Sequence, residues 1–255
     1  MRLVVLVVLS TVGCGRLGFE ATSDSGTIDG DGLVTDGVVD RCGVADLALY
    51  YSFDEATGAV VHDGSGNGHD GTTTGKVAWV TGRRNGALQF DGVTSRVTLS
   101  TPAELVDLPA ISVCAWSFSQ LFSDPFAAIV DKSLDGLDEG WNFYLRRDTG
   151  TFGLFAPTTA AEEAGSWQPQ TWVYLCGTWD GSLGAGGLRL YQDDVLQPAD
   201  LLQDGSGRRT DASHTLTVGR ATSGAYAFEG NLDELRIYRR ALSATEIAAL
   251  RACSS

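Results

Sequence analysis

Long apolar runs are missing from this sequence of 255 residues. The run at residues 3–9 gives way to Ser10 and Thr11, far short of the ~20 apolar residues a membrane-spanning helix needs. Basic residues are scarce: 18 Lys and Arg stand against 32 Asp and Glu, a formal net charge of −14. That sign opposes tracking of phosphates or anionic lipid, so nucleic acid is not an expected partner. No Cys-x-x-Cys pair occurs, which removes zinc-ribbon and thioredoxin-type chemistry. The histidines His62, His69 and His214 lack a His-x-x-x-His or Gly-x-Ser-x-Gly companion, and each reads as a surface or turn residue.

Glycine is plentiful instead, 32 residues, about an eighth of the chain against an average near 7 %. That favours many turns over long helices. Six Trp, seven Tyr and ten Phe supply mass for a core, and one domain of about 200 residues can bury enough apolar surface to fold. Short alternating runs recur at residues 47–53, 96–99, 111–118, 141–146, 172–179, 188–191, 215–218 and 233–238, each bounded by Gly, Asp, Asn or Pro. In the first, Leu47, Leu49, Tyr51 and Phe53 share one face, the period of a strand lying on a core. The expectation is an all-β, two-sheet antiparallel sandwich. Only the end reads as helix: Ser243 and Glu246 form a capping box, Leu242 and Ile247 a hydrophobic staple, and Ile247 and Leu250 point inward over roughly two turns. The segment from Gly82 to Gly92 is echoed from Gly219 to Gly230, as two similar strand-turn-strand units would be.

Met1 and Arg2, the apolar residues 3–9 and the small residues before Cys14 resemble a bacterial lipoprotein signal. The resemblance implies a signal peptide at residues 1–13 and lipidation of Cys14. Residues 14–41 then form a flexible acidic linker, with six acids (Glu20, Asp24, Asp29, Asp31, Asp36, Asp40) against Arg16 and Arg41 and no hydrophobic period. Asp29 to Gly32 imitate the start of a calcium loop without the full ligand pattern. Gly15 after Cys14 favours the outer membrane. Setting Cys14 aside leaves Cys42, Cys114, Cys176 and Cys253, which in an exported chain read as two disulfides with three possible pairings. Cys42 and Cys253 bracket the body, residues 42–255, while Cys114 and Cys176 each sit in a strand-like run. The expected pairs are Cys42 with Cys253 and Cys114 with Cys176.

Ala48-Leu-Tyr-Tyr-Ser-Phe-Asp54, Asp63-Gly-Ser-Gly-Asn-Gly-His-Asp-Gly71 and Ala87-Leu-Gln-Phe-Asp-Gly92 resemble the opening of the LamG-like jelly-roll family, within the concanavalin A-like lectin and glucanase superfamily. Ile111-Ser-Val-Cys-Ala-Trp116, Leu188-Arg-Leu-Tyr191 and the run from Phe228 to Ser243 continue it across about residues 46–252. The resemblance implies a jelly-roll sandwich with adjacent termini, which suits the Cys42 to Cys253 pairing. It also implies carbohydrate or protein binding, and in some members a structural calcium ion.

For calcium, the resemblance brings Asp63 near Asp233, with Asn67 or main-chain oxygens completing an oxygen shell and Asp70 in the same turn. Alternatively, Asp63 and Asn67 fold the turn on themselves and Asp233 caps a strand end. A glucanase of this fold would need two carboxylates set about 5 to 9.5 Å apart, often in a Glu-x-Asp-x-x-Glu run, and none exists here. In Asp233-Glu234 and Asp138-Glu139 the adjacent residues would point to opposite faces of a strand. Trp141, Trp172 and Trp179 are stacking candidates that strand spacing more readily places in a core, and residues 156–170 read as a loop able to carry binding. The functional expectation is a non-catalytic module, displayed at a bacterial outer membrane or cell surface and held there by its lipid alone, or secreted. It would bind a glycan or a cell-surface protein. A glycoside hydrolase and a purely structural envelope or adhesion protein are the competing readings.

Overall fold

The computed structural model describes residues 41–254 apart from 101–102, 122–123, 135–138, 148–150, 156–160, 165–166, 183–186 and 204–210. The expected signal segment, Cys14 and all of the linker except Arg41 lie outside the described residues, as does much of the 156–170 loop. In chain order the strands are β1 (Leu47–Tyr51), β2 (Val60–Val61), β3 (Gly71–Thr74), β4 (Val77–Thr81), β5 (Gly86–Asp91), β6 (Arg96–Leu99), β7 (Ala110–Ser119), β8 (Phe126–Leu134) and β9 (Glu139–Arg146). They continue with β10 (Thr151–Phe155), β11 (Ala161–Ala164), β12 (Trp172–Asp180), β13 (Leu188–Gln192), β14 (Val195–Leu196), β15 (Ala199–Gln203), β16 (Leu216–Val218) and β17 (Glu229–Tyr238), and α1 (Ala244–Cys253) closes the chain.

Two antiparallel sheets result. The first runs β14-β13-β12-β7-β17-β5-β4, and the second β15-β11-β10-β9-β8-β16-β6-β3-β2. Along one edge β17 pairs with β7; along the other it pairs first with β5, through Glu229–Leu232, and then with β1, through Leu235–Tyr238. The handover falls at an irregularity where Glu234 has φ +54°. The main core lies between the sheets and includes Leu88, Val97, Val113, Trp141, Leu175, Val218 and Ile237. A second apolar cluster covers the opposite face of the first sheet, where Tyr50, Trp116, Tyr174 and Tyr238 meet Leu242, Ile247 and Leu250 around α1.

This two-sided burial changes the reading of β1. Leu49, Tyr51 and Phe53 face the inter-sheet core, but Leu47 packs in the cluster under α1. A register shift between Leu47 and Leu49, just after Asp46 at φ +67°, turns the strand's first residue to the other side. Both faces being covered, all five residues of β1 are buried. The eight alternating runs all fall on strands. The 82–92 and 219–230 echo does not produce two like units: the first joins β4 to β5 by a short turn, whereas the second is the longer connection from β16 to β17.

Disulfides join Cys42 to Cys253 and Cys114 to Cys176. The first ties the entry of the body to the last residue of α1. The second links residues directly opposite each other on β7 and β12. The helix begins with the capping box: the Ser243 hydroxyl accepts from the Glu246 N–H, and the Glu246 carboxylate accepts from the Ser243 N–H.

Candidate binding site

The 63–71 turn is closed by its own side chains. Asp63 Oδ1 accepts from the backbone N–H of Tyr50 and Ser65, and Oδ2 accepts from the Ser65 hydroxyl and the His69 N–H. Asn67 Nδ2 donates to the carbonyls of Leu47 and Ala48. Asp70 accepts from the Asp63 N–H, with His62 beside its other oxygen. The Asp63 carboxylate is thus engaged by the turn's own N–H and O–H groups, the arrangement of a self-folded turn. Asp233 is held elsewhere. It lies within β17, not at a strand end; its Oδ2 accepts the Arg84 N–H, and the nearby charges acting on it are those of Glu234 and Asp54. Among the described residues no three His, Cys, Asp or Glu side chains gather as a metal-holding group.

The other sequence candidates scatter. His62 is exposed beside Asp70 and His69 pairs with Glu104, while His214 is buried next to Gly140 and is not a surface residue. Trp141 and Trp179 belong to the inter-sheet core, and Trp172 packs against Phe118 with the two rings tilted by 52°. Asp233 and Glu234 are both buried, Glu234 between Arg236 at 2.7 Å and Arg41, with the Tyr50 hydroxyl donating to it.

A pocket forms instead on the outer face of the second sheet, lined by Phe126, Ala128, Asp131, Asn142, Tyr144, Ala221 and Tyr226. Cross-strand pairing builds its floor: Phe126 stands opposite Arg146, Ala128 opposite Tyr144, and Asp131 opposite Asn142. A bulge between Ala128 and Val130 lets Ala127, Ile129 and Val130 all face the core while Phe126, Ala128 and Asp131 face the pocket. The β16–β17 connection forms the wall. It docks through the Ala128 N–H to the Tyr226 carbonyl and the Gly219 N–H to the Ile129 carbonyl, and Tyr226 adopts φ +52°. The Phe126 ring meets Tyr144 at 5.5 Å and Tyr226 at 5.6 Å, both edge to face.

Burial pushes the Asp131 carboxyl above the usual range, against hydrogen bonds from the Ser133 hydroxyl and from the Thr222 N–H and hydroxyl. Three aromatic rings beside a fixed carboxylate and an amide combine an apolar stacking surface with polar groups that fix orientation. The bulge is why sequence alternation missed the site: 126–134 does not alternate, and its aromatic partners come from two other segments.

The sequence matches the family model described as the concanavalin A-like lectin/glucanases superfamily over residues 90–248. The chain belongs to this superfamily. All seven pocket residues lie within the matched range. No curated protein matches the sequence. Among solved structures, domain 4 of an extracellular arabinanase from Geobacillus stearothermophilus, in complex with arabinotriose, is 20 % identical with a TM-score of 0.55, over 81 % of this chain and 98 % of that one. The binding domain of botulinum neurotoxin DC, in complex with rat synaptotagmin II, is 13 % identical with a TM-score of 0.62, over 82 % of this chain and 52 % of that one. A botulinum neurotoxin type C structure, whose cell entry is described as dependent on two ganglioside molecules, is 12 % identical with a TM-score of 0.63, over 82 % of this chain and 51 % of that one. This chain thus spans about half the length of the toxin chains. Identities this low speak for the concanavalin A-like fold alone.

Proposed function

We propose that the protein is a non-catalytic glycan-binding module whose site is the pocket on the outer face of the second sheet. The observation that carries this reading is the convergence of Phe126, Tyr144 and Tyr226 with Asp131 and Asn142. Aromatic rings cover the apolar face of a sugar, and carboxylate and amide groups bond its hydroxyls. The neighbours support the general class, since the arabinanase domain holds an oligosaccharide and the toxin structures concern a protein and ganglioside ligands. Asp131 is the single carboxylate among the described lining residues, whereas glycoside hydrolysis uses two. Residues 1–41 give the module its address, with Cys14 as the lipidated anchor and the acidic segment as spacer at a bacterial surface. A glycan array probed with the purified protein tests the reading. Retained oligosaccharides, with no reducing ends released from them, are expected; release of reducing ends would make it a hydrolase, and a blank array would remove glycan binding.

A further inference from the structure

Among the described residues, Asp131 is a buried carboxylate without an ion-pair partner. It is 2 % exposed, and what holds it is neutral: the Ser133 hydroxyl and the N–H and hydroxyl of Thr222. The strongest influences on its charge are burial and these hydrogen bonds. Two other buried acids do have cations, Asp211 with Lys132 at 2.8 Å and Glu234 with Arg236 at 2.7 Å, while Asp233 is held by the Arg84 N–H and, unlike Asp131, does not line this pocket. Burying an ionised carboxylate is costly unless it is paired, so an unpaired one facing an opening favours whatever brings positive charge to it.

The opening is suited to such a group. Its rim is aromatic, and ring faces attract positive charge; the Phe126 ring is already taken by the Arg146 guanidinium 5.5 Å from its centroid, which leaves Tyr226 to a ligand. The cavity gives about 30 Å³ to the centres of water-sized groups, more than the ~10–15 Å³ that one water needs. A primary ammonium fits this space beside Asp131. The net charge of −14 draws cations to the molecule as a whole.

We infer that the pocket selects an amino sugar with a free amine, its ring lying on Tyr226 at the rim and its ammonium seated over Asp131. This rests on the reading of the pocket as a glycan site. Calorimetric titration of the purified protein with oligomers of glucosamine, of N-acetylglucosamine and of glucose, matched in length and linkage, tests it. The free amine should bind about ten-fold or more tightly than either neutral oligomer, the worth of one charge-assisted contact. Asp131→Asn should abolish that preference while leaving weak binding of the neutral sugars. The comparison among ligands needs no variant, so it decides the matter even if Asp131→Asn does not fold. Equal binding of all three oligomers, or preference for the acetylated one, would overturn the amine and leave glycan binding standing. Binding of an unacetylated lysine peptide and of no sugar would overturn both in favour of a protein ligand.

Discussion

Asp233 occupies the gap along β17 where β5 gives way to β1, with the 82–85 turn filling the space. A Cβ at Gly82 would lie 2.6 Å from its Oδ2, so glycine is what lets the turn close over the carboxyl. Burial pushes Asp233 up to about 7, the Arg84 N–H pulling against it and the Glu234 and Asp54 charges adding to it. The unfolded chain releases this proton near pH 3.9. Between there and about pH 7 the folded protein holds a proton that the unfolded chain has lost. The stabilisation is therefore complete below about pH 4 and disappears as pH rises through 7. Urea unfolding of wild type and Asp233→Asn from pH 4 to pH 8 should show the wild type losing stability relative to the variant by on the order of a few kcal/mol. Parallel curves would contradict the buried acid. Sequence reading singled out Asp233 but not this role, because the role comes from a change of partner strand that only the assembled sheet contains.

Among the elements, the 63–71 turn and α1 were the most legible, since their bonds are local. The Asx-type bonds of Asp63 and the capping box of Ser243 and Glu246 join residues a few positions apart, and spacing alone can expose them. The Asp63 carboxylate is already bonded by the turn's own N–H and O–H groups, so, with a turn that needs no ion for its fold, the purified protein should keep its melting temperature when chelator is added. A fall of several degrees, restored by calcium, would show a bound ion that stabilises the fold. Strand β8 was the least legible element. Its bulge breaks the period of two, and Lys132 with Asp131 makes its end look like loop sequence. Yet Lys132 is fully buried, donating to the Asp211 carbonyl and paired with its carboxylate at 2.8 Å. The pocket was hidden for the same reason: Phe126 and Asp131 are on this strand, Asn142 and Tyr144 on β9, and Tyr226 on a connection more than eighty residues away.

At the scale of the whole molecule, the sandwich and the closure of its ends follow from composition, alternation and cysteine placement. The Cys42–Cys253 disulfide spans a sequence separation of 211 residues. Arg236 reaches both Glu234 and Ser254 beside it, and Arg84 donates to the Cys253 carbonyl. Cross-links closing long loops restrict the unfolded chain most, so Cys42→Ser combined with Cys253→Ser should cost about 2–5 kcal/mol in chemical denaturation. A loss below 1 kcal/mol would mean that the ionic contacts hold the ends without the bond. The most direct measurement is affinity for the oligosaccharide best retained on the array, compared between wild type and Tyr226→Ala. Removing this rim ring should weaken binding about ten-fold, ~1.4 kcal/mol, at an unchanged melting temperature. Undiminished affinity in the variant would place the ligand elsewhere and contradict the account.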